Sequence, residues 1–266
     1  MPASQQTGSS FDLSRIRAET FVRRIDFRRS LPSTNDRAVQ MTLADRLETP
    51  LLVLTELQTA GRGRGRNFWW SDIGALTFSL VIDSQQFGLS ARQLTQVSLS
   101  AGLAVCEALV ESLPDRTIGL KWPNDVLLDG KKVCGILVEI PAVAGGRVVI
   151  GIGVNVNNSL SSAPDELRAT ATSFVDCTSE QRDLTGLLVS ILGQLQQQLQ
   201  RLGSDGFDLP TQWNRYCVLR DRTVSIQLNS RQLVGLCRGI NSEAALIVET
   251  AEGCQQVYSG VVTSFE

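Results

Sequence analysis

A mixed or antiparallel β-sheet with helices packed on it, followed by a small all-β barrel, is the α+β architecture encoded by these 266 residues. Three observations lead to it. Strand-like apolar runs between Ile118 and Val154 follow one another too closely for crossover helices. Two longer stretches, Ser90–Leu113 and Asp183–Leu202, carry apolar residues at helical spacing. Past Trp213 and Tyr216 the texture changes to short apolar runs divided by polar turns.

In chain order, residues 1–20 read as a flexible tail with a helical turn near Leu13–Ala18. Phe21–Arg29 mixes apolar and basic residues and is expected to be the first strand. Leu31–Asp36 is a turn in which Ser33, Thr34 or Asn35 caps a helix over Asp36–Arg46. Leu51–Leu57 and Ala75–Ile82 read as buried strands on either side of a glycine/arginine stretch. Leu94, Val97, Ala101, Ala104, Val105, Ala108 and Leu109 place one helix on the sheet, and Pro114 ends it. Asp129-Gly130 between two apolar runs signals a hairpin, and Arg147–Val154 supplies a further strand. Ser159–Cys177 is polar and reads as a loop or short helix. Leucines from Leu184 to Leu202 line one side of a Gln-rich helix, with Gly203 suited to its C′ end. Thr223–Leu228, Leu233–Ile240, Ala245–Glu249 and Gln256–Val262, with turns at Asn229-Ser230, Asn241-Ser242 and Glu252-Gly253, form the barrel. The boundary falls near Val218, giving a main domain over 21–217 and a barrel over 218–266.

Composition narrows the chemistry. Histidine is absent, which excludes a Ser-His-Asp triad, His metal ligation and His general-base catalysis. None of the six cysteines forms a C-x-x-C pair, so no zinc or redox site is expected; they read as free thiols in a reducing cytoplasm. A net charge of −2 argues against a broad nucleic-acid surface. No apolar run is long enough to span a bilayer, and the N-terminus lacks a signal-peptide core.

Against that background the cations are local. Gly61-Arg62-Gly63-Arg64-Gly65-Arg66 sits between two apolar strands and closes on Phe68, Trp69 and Trp70. Glycines let the backbone approach a ligand, and arginines supply forked, permanent charge there. The stretch fits neither a dinucleotide fingerprint, since Arg66 stands where a third glycine belongs, nor a Walker A loop. Lys121-Trp122-Pro123-Asn124-Asp125 and Lys131-Lys132 bracket the predicted hairpin. Two arginines, two lysines, a glycine loop and Asp125 near strand ends point to an anionic small molecule.

Ser33-Thr34-Asn35, Gln58-x-Ala60-Gly61-Arg62-Gly63-Arg64 with Trp69, KWPND at Lys121–Asp125, KKVCGILVE at Lys131–Glu139 and GIGVNVN at Gly151–Asn157 together resemble the biotin protein ligases, in order and at similar separations. The C-terminal segment resembles that family's SH3-like domain. The resemblance runs from about Phe27 to the end and rests on several linked motifs. It implies a catalytic fold like that of class II aminoacyl-tRNA synthetases. It also implies ATP and biotin as substrates with Mg²⁺, biotinyl-AMP as intermediate, and biotin carboxyl carrier protein as acceptor.

By the same resemblance, Ser33, Thr34, Asn35 and Gln58 hold biotin's ureido end. Gly61, Arg62, Gly63 and Arg64 order over biotin and the adenylate phosphate, and Trp69 covers the adenylate. Lys132 meets the carboxylate or phosphate, and Gly135 allows close backbone approach. Asn124 and Asn155 lie on the nucleotide side, Asn155 also toward Mg²⁺. Arg64, Lys121, Asp125 and Lys132 form the catalytic set, with Asp125 engaging the acceptor lysine. Read locally, Asp125 is a turn-former and Ser33 an N-cap. An ordinary carboxylate is also a weak base toward an ammonium, so orienting the amine is as good an account as deprotonating it. Many relatives have a basic residue where Gly65 stands and glycine at Arg66, an exchange bearing on loop stiffness. About thirty residues precede Ser33, too few for the DNA-binding domain some relatives carry, so no DNA binding is expected. A lipoate or octanoate enzyme of related fold, a silent ligand sensor and an RNA-binding barrel are the rival readings. Oligomeric state, monomer or homodimer, and the barrel's task stay open.

Overall fold

The computed structural model describes residues 9–44, 46–142, 145–229 and 231–266. Residues 1–8, Asp45 and Ser230, which fall in the expected tail, helix and turn, lie outside the described residues. The strands are β1 (Arg24–Leu31), β2 (Leu51–Gln58), β3 (Leu76–Asp83), β4 (Ile118–Lys121), β5 (Asp125–Leu128), β6 (Lys131–Glu139), β7 (Arg147–Val154), β8 (Thr223–Gln227), β9 (Gln232–Ile240), β10 (Leu246–Thr250), β11 (Gly253–Val257) and β12 (Val261–Phe265). The helices are α1 (Leu13–Glu19), α2 (Thr34–Thr42), α3 (Ala91–Leu94), α4 (Val97–Ser112), α5 (Asp165–Thr170), α6 (Phe174–Thr178), α7 (Leu184–Gly203) and α8 (Leu209–Asn214).

The first seven strands form one mixed sheet in the order β1-β2-β3-β7-β6-β5-β4. Only β1 and β2 run parallel; the other neighbours are antiparallel, as close spacing without crossovers requires. Helices α4 and α7 cover one face, where Phe78, Leu80, Ile136, Ile152, Leu103 and Leu192 belong to the main core. The opposite face is only partly covered. There α2 seals a smaller cluster of Ala38, Leu51, Val53, Val81 and Val149.

Several expected elements differ in detail. Residues 12–20 are not loose: Asp12 caps α1, Ile16 is buried, and Arg15 pairs with Asp183 at 2.8 Å. Helix α2 starts two residues earlier than expected because Ser33 is the cap, its Oγ accepting from Asp36 N at 3.3 Å. The long helix before Pro114 is split into α3 and α4 around Thr95-Gln96. Gly203 is the last residue of α7 and not its C′ cap. Its small size is needed because a Cβ there would sit 1.7 Å from Phe87 O. At the hairpin Asp129 and Gly130 both have positive φ, 49° and 82°, the two left-handed positions a tight two-residue turn demands.

The C-terminal segment is a five-stranded antiparallel sheet ordered β11-β10-β9-β8-β12. Five strands replace the four expected runs because the last divides at Tyr258-Ser259-Gly260, and no ladder joins β11 to β12 into a closed barrel. The approach to this sheet is stitched to the large one: Leu120 N donates to Tyr216 O at 2.7 Å and Val218 N to Leu120 O at 3.0 Å.

Candidate active site

Strand register explains why a cavity forms where it does. Residues directly opposite across antiparallel strands share a face. Lys121 opposes Asp125, Asp125 opposes Gly135, Gly135 opposes Gly153, and Gly153 opposes Thr77. The next row is Leu137, Gly151 and Ser79. Two glycines two residues apart in β7, beside Gly135 in β6, therefore leave a trough on one face. It is filled from above by specific side chains. A Cβ on Gly151 would lie 1.9 Å from Asn35 Oδ1, and one on Gly153 would lie 2.5 Å from the Trp69 ring. We expect Gly153→Ala to push Trp69 off this floor at a cost of about 1–3 kcal/mol. A lowered denaturation midpoint with red-shifted tryptophan emission would report it.

Lys132 reaches the same face by an irregularity. It lies three residues from Gly135, an odd separation that regular alternation would place on opposite faces. The β5–β6 register shifts between Val126 and Leu127, so Val133 is an extra residue in β6. That bulge turns Lys132 toward Gly135, whose notional Cβ would be 3.4 Å from Lys132 Nζ, and Nζ pairs with Asp125 Oδ1 at 2.6 Å.

A cavity of about 550 Å³ occupies this face. Arg62, Arg64, Lys121 and Lys132 all border it, so four cations from separate segments do meet around one space. Asp125 and Asn124 border it too, with Ser33, Thr34, Asn35, Gln58, Gly63, Trp69 and Gly135. The C-terminal sheet forms a further wall through Gln227–Asn229 and Ser259–Val262. These wall residues, with Ser79, Gly151, Gly153 and Glu139, were not picked out by sequence reasoning as site residues. The G-x-G spacing inside a strand was the available signal for Gly151 and Gly153.

The cations differ in how their charge is met. Arg62 Nε pairs with Asp36 Oδ1 at 2.7 Å and Nη2 with Glu139 Oε2 at 2.6 Å. Although burial alone would lower it, those carboxylates hold its guanidinium above its ordinary pKa. Arg64 has no carboxylate within ion-pair distance among the described residues. Its burial pushes its pKa down, with Asp125 opposing. Lys121 is also pushed down by burial, opposed by Asp125 and reinforced by Lys132. Its Nζ lies 5.7 Å from the Phe265 ring centroid, so a C-terminal aromatic braces a site cation.

Keeping the Lys121 amine charged therefore costs stability at neutral pH. Its folded pKa lies below the unfolded one, so this penalty is full where both states are charged and vanishes above the ordinary lysine value. Lys121→Met is expected to melt higher than the unsubstituted chain near neutrality. The gap should close as pH rises toward about 10, which thermal denaturation across that range would read.

The polar end of the cavity is a closed network. Gln58 Oε1 accepts from Thr34 N at 2.7 Å and Thr34 Oγ1 at 3.0 Å. Ser79 Oγ lies 2.6 Å from Asn35 Oδ1, and Asn35 Nδ2 donates to Leu137 O and Glu139 Oε2. Two of the expected residues stand apart. Gly61 does not border the cavity; its role is packing, since a Cβ would sit 2.5 Å from Trp69 O. Asn155 is buried away from it, donating to Thr172 O and accepting from Asn158 Nδ2. Gly65 has φ 63° in open space at the apex of the loop, which accounts for glycine at 65 and arginine at 66.

An anion-directed cavity on a glycine-floored mixed sheet, walled by a second β-sheet, defines a class. Residues 27–157 match the Biotin/lipoate A/B protein ligase family. The biotin–[acetyl-CoA-carboxylase] ligase of Paracoccus denitrificans is 31% identical, covering 85% of this chain and 94% of that protein. The bifunctional ligase/repressor BirA of Bacillus subtilis is 33% identical over 78% of this chain. The chain spans about 64% of the length of that relative and of its Bacillus spizizenii counterpart. Among solved structures, the Aquifex aeolicus biotin protein ligase in complex with biotin and ATP matches with a TM-score of 0.77 at 26% identity, covering 92% of this chain and 99% of that one. The chain belongs to the biotin protein ligases.

Proposed function

We propose that this chain joins biotin to ATP, forming biotinyl-5′-AMP and pyrophosphate, and then passes the biotinyl group to one lysine of a carrier, the biotin carboxyl carrier protein of acetyl-CoA carboxylase. The carrying observation is the convergence of Arg64, Lys121 and Lys132 on one cavity beside a polar recess. In the first step a carboxylate oxygen attacks the α-phosphorus and pyrophosphate leaves. Two unit negative charges brought to about 4 Å repel by about 4 kcal/mol at an effective dielectric near 20. Three cations against the single carboxylate of Asp125 offset this and stabilise the charge that develops. The recess of Ser33, Thr34, Asn35 and Gln58 suits a cyclic urea better than a lipoyl chain, which would want apolar walls. In the second step a neutral amine attacks the acyl carbon, AMP leaves, and the proton passes to its phosphate or to solvent.

Asp125 opposes Lys121 in the hairpin and pairs with Lys132. It would hold the incoming ammonium beside Lys132. Asp125→Ala should reduce transfer to the carrier by about 10²-fold while adenylation falls less; equal losses in single-turnover assays would remove this assignment. Among the described residues no cluster of three or more candidate side chains could hold a metal, and both polar atoms of the Asn155 amide are engaged internally. A Mg²⁺ here would be held chiefly through the substrate phosphates rather than by a protein cage, and no step here runs through one. The domain division at about residue 218, a cytoplasmic location and a monomer or homodimer complete the reading. Among the described residues no helix is long and apolar enough to cross a membrane. Mass spectrometry of a carrier domain after incubation with this protein, biotin and ATP tests the whole: a single biotinyl adduct on lysine supports it, and none refutes it.

A further inference from the structure

Glu139 occupies an unusual junction. Alternation along β6 puts it on the same face as Gly135 and Leu137, at the end of the strand. Its Oε2 accepts from Asn35 Nδ2 at 2.8 Å and meets Arg62 Nη2 at 2.6 Å. Arg62 Nε is held in turn by Asp36 in the first turn of α2. The chain of contacts therefore runs from Ser79 on β3 and Asn35 in the first turn of α2, through one carboxylate, to the arginine at the root of the glycine loop. The loop's own backbone is thinly held, by Gly63 N to Asn67 O, Asn67 N to Arg64 O and Trp69 N to Gly61 O.

Resting on the biotin ligase reading, we infer that Glu139 is a positioning residue: its carboxylate latches Arg62, and so the glycine loop, to the Asn35 amide, coupling recognition of the ureido end to retention of the adenylate. Arg62 is on this account a loop anchor and not a phosphate ligand, because two carboxylates already answer its charge. Arg64, two residues on and unpaired among the described residues, is left to meet the phosphate.

Glu139→Gln keeps an oxygen to accept from Asn35 and removes the charge facing Arg62. It should speed release of preformed biotinyl-AMP about tenfold, the scale of one charge-assisted bond, and raise KM for biotin but not for ATP. Arg62→Gln should do the same, and the double variant should be no worse than either single one. Effects that multiply to about a hundredfold, or an adenylate held as firmly as by the unsubstituted protein, would overturn the latch. A second measurement needs no catalysis. Amide hydrogen exchange across residues 59–70 of the free protein should quicken about tenfold in Glu139→Gln with sheet amides unchanged. Unchanged loop exchange defeats the inference even if biotinylation is observed. Quickened loop exchange without any biotinyl-AMP formation would instead sink the ligase reading and leave the latch standing.

Discussion

Lys132→Ala is expected to cut biotin-dependent ATP–pyrophosphate exchange by about 10²–10³-fold, the usual cost of removing one preorganised charge from a reacting centre. The bulge at Val133 places this ammonium on the cavity floor, and Asp125 fixes its direction at 2.6 Å. Alanine leaves Asp125 uncompensated beside two incoming anions, so the loss should fall on kcat for adenylation. Arginine at 132 should restore little, because a wider planar cation cannot sit over Gly135, where the lysine Nζ lies 3.4 Å from the notional Cβ. Near-normal exchange in Lys132→Ala would remove the residue from the first step. Circular dichroism should stay native-like, since Lys132 is partly exposed and its backbone is held by Thr172 N.

Arg64→Ala should release biotinyl-AMP into solution about 10²-fold faster than the unsubstituted chain. Burial already disfavours this guanidinium's charge, and Asp125 answers it only at longer range. A phosphate arriving in the cavity would give it the partner that the fold withholds. Adenylation should fall less than retention, because Lys121 and Lys132 remain at the floor. A filter assay of bound and free adenylate, run alongside pyrophosphate release, separates the two. Retention equal to that of the unsubstituted protein would argue that the loop closes without Arg64. The contrast with Arg62 is the useful control. Losing that side chain frees two carboxylates at the loop root, whereas losing Arg64 removes a cation from the site itself.

Local pattern carried the element types. Helical apolar spacing marked α4 and α7, apolar runs marked β2, β3 and β7, and Asp129-Gly130 marked its hairpin, because these signals act over a few residues. The same scale explains the misses. The α3/α4 break at Thr95-Gln96, the start of α2 at Thr34 and the end of α7 at Gly203 depend on caps and on neighbours remote in the chain. The open ladder between β11 and β12 likewise depends on pairings that no short run encodes.

The site divides along the same line. Residue identity alone supplied the absence of histidine, the cluster of Arg62, Arg64, Lys121 and Lys132, and the linked motifs that pointed to an adenylating ligase. Which of those cations are free was decided by the tertiary structure. Asp36 and Glu139, 103 residues apart in sequence, close on Arg62, while Arg64 is left without an ion pair among the described residues. Asn155, attractive as a motif residue, is turned inward to Thr172 and Asn158. One extra residue at Val133 reverses the face on which Lys132 emerges. Sequence sets which charges and shapes a chain owns. Burial, register and the nearest counter-charge depend on distances between segments far apart in the chain, and only the folded packing fixes those.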